Sequence, residues 1–171
     1  MSFPTNGDGG VLLSGGDTAL NVVEGNYISL APHGLAALGN TGFSVSFALG
    51  AHDNTIGGLR EELANVISGN VGSGVLFSWA GAANNHVVGN VIGLDSGGFV
   101  LGNSGAGVEA IENASGNPIG GEEAGTSNQI VGNGGAAFPS AMGLRACESP
   151  ATRSTGIWVG HLHVRQRQSC Y

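Results

Sequence analysis

The chain has 171 residues, a length that suits one domain. Glycine accounts for 33 of them, against an ordinary share of about 7%, only 10% are charged and there is no lysine. A hydrophobic share of 41% excludes the low-hydrophobicity, high-charge signature of disorder, and the lack of a strict Gly-X-Y period excludes collagen. The net charge of −7 is uneven: residues 1–142 hold eleven acids and a single base, Arg60, whereas residues 143–171 hold Arg145, Arg153, Arg165 and Arg167 against Glu148. An acidic body repels phosphate backbones, which excludes nucleic acid as the expected partner.

In chain order, Met1–Asp8 carries neither the basic nor the apolar region of a signal peptide. No later stretch approaches the roughly 20 apolar residues of a membrane span. Short strand-like runs then follow one another. They read GVLLSG from Gly10, NVVEGN at 21–26, GFSVSFAL from Gly42, NTIGG at 54–58, NVISGN at 65–70 and GVLFSWAG from Gly74. NHVVGN at 85–90, GVEAIENA from Gly107, NPIGG at 117–121 and NQIVGN at 128–133 complete the series. Asn54 to Asn117 and Asn65 to Asn128 are each 63 residues apart, and Asn21 to Asn85 is 64. Divided into three, that unit predicts coils of 21 residues, about six of them over residues 1–142.

Each run is too short and too glycine-rich for a stable helix. Each also alternates: Phe43, Val45 and Phe47, then Val75, Phe77 and Trp79, point one way, and Ser44, Ser46 and Ser78 point the other. The third position of the Asn motif is always apolar, as Val23, Ile67, Val87 and Ile130 show. One such strand cannot bury its face, but a stack of like strands ~4.8 Å apart can. Like residues then lie over like, and the apolar ones form a single shaft. A recurrent asparagine at a turn adopts left-handed φ and bonds to the next coil, with Gly25, Gly69, Gly89 and Gly132 permitting the bend.

On these motifs the chain, over about residues 6–138, resembles right-handed parallel β-helix repeat proteins of the pectin-lyase-like superfamily. It is most similar to repeat segments of large bacterial exported and surface proteins. The resemblance implies an all-β, right-handed solenoid and a secreted or cell-surface location within a larger parent chain. It also implies a non-enzymatic role as a spacer or weak carbohydrate-contacting surface. The alternative is a polysaccharide-processing hydrolase or lyase-like enzyme, or a fragment of one. Polysaccharide is the candidate partner, the ends of the stack are candidates for end-to-end self-association, and no cofactor is implied.

From about Gly143 the alternation stops, so residues 143–171 form a divergent tail, either a cap on the last coil or a foreign terminus. Cys147 and Cys170 lie there, either as a disulfide worth about 3 kcal/mol or as two free thiols.

Candidate chemistry is sparse. Glycoside hydrolysis needs two carboxyls about 5–10 Å apart. Glu109 and Glu112 on one short strand, and Asp95 after NHVVGNVIG, are the catalytic candidates beside the alternative of solvated surface acids. The near-absence of Lys and Arg from the body argues against a lyase. Tyr27 and Trp158 are the candidate sugar-binding aromatics, whereas Trp79 reads as core. His33, the His52–Asp53 pair, His86, and His161 with His163 form no metal motif, so no metal site is assigned. The glycine- and aspartate-rich segments 6–10 and 15–18 match calcium-binding nonapeptides imperfectly. The long connections 27–41 and 91–106 are the candidate walls of a groove.

Overall fold

The computed structural model describes residues 7–121 and 123–135. It contains eleven strands: β1 (Gly9–Ser14), β2 (Val22–Val23), β3 (Tyr27–Ile28), β4 (Phe43–Ala48), β5 (Thr55–Gly57), β6 (Val66–Ile67), β7 (Val75–Phe77), β8 (His86–Val88), β9 (Val91–Ile92), β10 (Val108–Ala110) and β11 (Gln129–Ile130). One 3₁₀ turn spans Glu61–Leu63. The strands stack as three sheets: face 1 is β1-β4-β7-β10, face 2 is β2-β5-β8, and face 3 is β3-β6-β9-β11. Ile119 extends face 2 through a parallel bridge to Val87, and every strand pairing is parallel. The chain is therefore an all-β parallel solenoid whose coil has three sides.

The coil is longer than 21 residues, and the stack has about three turns rather than six. The Asn-to-Asn step along one corner is 33, 31 and 32 residues, so the 63-residue unit is two turns and not three. The miscount has a physical origin. The motif Asn-x-[Val/Ile]-x-Gly-Asn is used on two different sides, face 2 at 21–26 and 85–90, and face 3 at 65–70 and 128–133. Where it is broken, a loop has been inserted: at the end of face 3 after β3 and after β9 (29–39, 93–102), and at the end of face 2 after β5 (58–64) and again between Ile119 and Asn128. Along the corner that separates those faces the Asn-to-Asn step accordingly alternates, 39, 25 and 38 residues. Loops on consecutive coils would emerge only ~4.8 Å apart, and skipping a coil gives each one room.

Asparagine ladders mark the three corners. They run Asn21–Asn54–Asn85–Asn117, Asn26–Asn65–Asn90–Asn128 and Asn40–Asn70–Asn103–Asn133. In the typical rung, the backbone N–H and the Nδ2 of one asparagine both donate to Oδ1 of the next. For Asn85 and Asn117 those distances are 3.0 and 3.0 Å. The same Nδ2 also donates to a main-chain carbonyl of the preceding coil, as Asn85 does to Ala51 at 2.9 Å. A corner breaks the regular main-chain ladder, and these amides supply the partners that the turn withdraws. Eight of the twelve ladder asparagines are buried; the exceptions, Asn21, Asn26, Asn128 and Asn133, are four of the six on the first and last rungs. Among the described residues, no buried side-chain nitrogen or oxygen lacks a hydrogen bond.

Inside the corners lies one apolar shaft. Val45, Val75 and Val108 stack on face 1, Ile56, Val87 and Ile119 on face 2, and Ile28, Ile67 and Ile92 on face 3. The Phe47 and Phe77 rings stack with centroids 4.9 Å apart and planes 12° from parallel, matching the coil spacing. Val23, Ile67, Val87 and Ile130 do face this shaft. They belong to two columns, however: Val23 and Val87 on face 2 with Ile56 between them, and Ile67 and Ile130 on face 3 with Ile92 between them.

Two expectations from alternation are corrected. Ser44 is buried and inward rather than outward, and Ser46 keeps the outward parity but is buried as well. Ser44 takes an inward corner position held by glycine in the other coils, and its hydroxyl bonds to Ser29 Oγ (2.9 Å) and to the Asn70 amide. Ser46 lies in register between Leu12 and Leu76 on the outer side of face 1. Trp79 is 42% exposed rather than core. It stands with Gly15, Leu49 and Glu112 in a corner column whose φ values are 100°, 52°, 70° and 52°, and a left-handed residue swings its side chain out of the alternation.

Candidate binding groove

The outward residues of face 3 are Tyr27, Val66, Val91 and Gln129, in register along the stack. They form the floor of a groove of about 390 Å³. One wall is the 58–64 insertion, through Glu61, Glu62 and Ala64, and the other is the 93–102 insertion, through Leu94, Asp95, Ser96 and Gly98. The groove exists because face 3 lies between the two corners that carry insertions.

Each wall is braced. In the first, Leu63 N donates to Arg60 O and Ala64 N to Glu61 O within the 3₁₀ turn, and Gly25 N of the coil below donates to Leu63 O at 3.0 Å. In the second, Asp95 N donates to Phe99 O (2.8 Å) and Leu101 N to Gly93 O (3.0 Å), making a small hairpin. The Asp95 carboxylate accepts from the N–H groups of Gly97 and Phe99, both at 2.9 Å. This insertion stacks on the one two coils earlier, where Ser96 N and Oγ donate to the carbonyls of Gly34 and His33. Gly34, at φ +72°, lies against the Tyr27 ring: a Cβ there would stand 3.1 Å from Tyr27 Cζ and closer still to Ser96. Tyr27 is held in this way yet stays 49% exposed.

The sequence candidates separate. Asp95 and Tyr27 line this groove. Glu109 sits on the outer side of face 1, in register with Leu76, and accepts from the Ser73 hydroxyl. Glu112 is exposed at the corner after β10. Asp95 thus stands on a face 3 insertion and Glu109 on the outer side of face 1, while Glu112 lies at the corner three residues beyond Glu109. Trp158, Cys147, Cys170, His161 and His163 lie outside the described residues. Of the two connections expected to form walls, 91–106 supplies one, and 27–41 backs it and Tyr27. The other wall, with Glu61 and Glu62, was missed. Its signal was the six residues that separate NTIGG from NVISGN, where the unbroken motif needs none.

Among the remaining polar groups, His33 Nδ1 accepts from Leu35 N at 3.1 Å and closes its own loop. His52 Nδ1 lies 2.6 Å from Asp53 Oδ2, and its Nε2 3.0 Å from Gly16 O. The Asp53 hydrogen bond raises the His52 pKa above its ordinary value; desolvation opposes it, and the Gly16 carbonyl and the nearby acids add smaller raising effects. Among the described residues, no three His, Cys, Asp or Glu side chains are grouped to hold a metal, and no helix is long and apolar enough to cross a membrane.

Fold and groove together define the class: a parallel β-solenoid with an asparagine-laddered, three-sided coil and a walled groove on one face. Compared with known protein families, curated proteins and solved structures, the chain matches none.

Proposed function

We propose that this chain is a carbohydrate-contacting β-solenoid, a non-enzymatic segment of an exported or surface protein. The observation that carries the reading is Tyr27, an exposed ring braced by Gly34 at the floor of a polar-walled groove. A flat amphipathic ring suits the apolar face of a sugar. The Gln129 amide and the Glu61 and Glu62 carboxylates are hydrogen-bonding groups for hydroxyls. Among the described residues the lining holds no basic side chain, which disfavours uronate-type polymers and favours neutral glycans. A non-catalytic role is supported by the use of the Asp95 carboxylate within its own loop and by the Ser73 hydroxyl held on Glu109. The same reading takes the winding as right-handed and akin to the pectin-lyase-like superfamily, on the strong general preference of parallel crossovers for that hand.

The test is a glycan array followed by titration of the best oligosaccharide against the amide resonances of face 3. Binding should move Tyr27, Val66, Val91 and Gln129, and Tyr27→Ala should weaken it about tenfold, the equivalent of roughly 1.4 kcal/mol of ring contact. Absence of binding to any neutral glycan overturns the reading. Release of shortened products that stops in Asp95→Asn overturns its non-enzymatic part.

A further inference from the structure

We propose that the crest of the 93–102 insertion is a second sugar-contacting platform, on which Phe99 and Leu35 take a glycan that crosses the wall from the Tyr27 floor. This rests on the glycan reading of the groove and adds the class of ligand: an extended neutral chain held along its length, rather than a single terminal sugar.

The crest is apolar although it rises from a polar wall. Phe99 is 74% exposed, and Val100 and Leu35 are exposed as well. A lone exposed apolar side chain needs no explanation, but a cluster rimmed by polar groups marks a contact surface. Two insertions, two coils apart, assemble this cluster. Ser96 N and Oγ tie the 93–102 turn to the carbonyls of Gly34 and His33, at 2.9 and 3.1 Å. A Cβ on Gly97 would stand 3.3 Å from Leu35 Cδ2 and 3.3 Å from Phe99 Cδ2, so the two side chains meet over a residue that leaves room for both. The same contact of Gly34 with Ser96 backs the Tyr27 ring, because a Cβ on Gly34 would lie 3.1 Å from Tyr27 Cζ. Floor ring and crest ring therefore flank one seam. The flat apolar face of each suits the C–H face of a sugar.

Asp95 sets the crest. It is buried, its N–H donates to Phe99 O at 2.8 Å, and its Oδ1 accepts from Phe99 N and Gly97 N, both at 2.9 Å. Gly98 N closes the turn on Asp95 O at 3.1 Å. Both main-chain polar groups of Phe99 are thus held by one residue, and a ring on so pinned a turn has less freedom to lose on binding. Asp95 acts through Phe99 and is a positioning residue. Asparagine keeps an Oδ1 that accepts both N–H groups, whereas alanine has none.

The experiment titrates the full chain with di- and hexasaccharides of linear β-glucan, β-mannan and β-xylan. For the series that binds, the hexasaccharide should bind more tightly than the disaccharide. Phe99→Ala should weaken the hexasaccharide about tenfold and leave the disaccharide unchanged, whereas Tyr27→Ala should weaken both. Asp95→Ala should match Phe99→Ala, Asp95→Asn should keep wild-type affinity, and Asp95→Ala/Phe99→Ala should be no weaker than either single variant. Binding that Tyr27→Ala weakens and Phe99→Ala leaves intact at both lengths overturns the platform while the groove reading stands. Equal losses in Asp95→Asn and Asp95→Ala, or additive losses in the double variant, overturn the positioning role. Sedimentation of the wild type as a dimer that Phe99→Ser returns to monomer assigns the crest to a second copy and overturns the platform too. Failure of every series to bind sinks the groove reading and its extension together.

Discussion

At the scale of the residue, the ladder asparagines bear the greatest cost of exchange. Asn85 Oδ1 accepts from the N–H and Nδ2 of Asn54 (3.1 and 2.9 Å), while its own amide serves Ala51 O and Asn117 Oδ1. Asn85→Ala strands several of these groups away from water, and each unsatisfied buried group costs about 1–3 kcal/mol. The expected loss is about 3 kcal/mol, read as a lowered urea midpoint at unchanged slope, against under about 1 kcal/mol for the exposed Asn21→Ala. His52 supplies a pH dependence with a definite sign. Its folded pKa is raised by Asp53, so its contribution is fully present below the unfolded value of about 6.5 and is lost as pH rises through the raised folded value. Wild type should therefore exceed Asp53→Asn in stability on the acid side of that window and converge with it on the alkaline side. A difference that grows with pH would contradict the assignment.

At the scale of the element, strands and insertions have separable jobs. The strands are as short as two residues; β6 and β9 are paired on both sides, whereas β2, β3 and β11 end their sheets and are paired on one. Insertions leave the rungs untouched, which is why the third coil carries one between Ile92 and Asn103 while the second passes from Ile67 to Asn70 through only Ser68 and Gly69. Replacing residues 93–102 by Ser-Gly should leave the solenoid folded. The shift should be about 1–2 kcal/mol at most, since loop length is thermodynamically cheap and only local hydrogen bonds are lost. The same change should abolish ligand-induced shifts at Tyr27 and Val91. Loss of the fold itself would mean that the insertion is part of the rung. Gly57 marks the opposite case: at φ +91° it lies so close to the Val88 carbonyl that a Cβ would overlap it, and the face 2 insertion begins there.

At the scale of the molecule, repetition made the architecture legible and its period ambiguous. Stacked strands, inward Val and Ile, and corner asparagines all follow from alternation and from 63-residue phasing, because like must lie over like when coils share a shaft. The number of turns did not follow, because two faces use one motif: nothing in NVVEGN and NVISGN says that they occupy different sides. Asn26-Tyr-Ile and Asn90-Val-Ile, the same half-motif cut short by insertions, carried the missing count. The candidate site divides in the same way. Asp95 and Tyr27 were named as candidates from the sequence, whereas Glu61 and Glu62 join the site only because insertions rise on either side of face 3.

What the amino-acid order determined alone was therefore local and periodic: strand, turn, inward residue, and the identity of the amide that repeats at each corner. These depend on alternation, φ preference and hydrogen-bonding capacity within a few residues. Only the tertiary structure decided how many sides close a coil, which columns Val23 and Ile67 join, where Trp79 turns outward, and which distant segments become opposing walls. Those outcomes depend on contacts across one or two full turns, set by the closure of the coil as a whole.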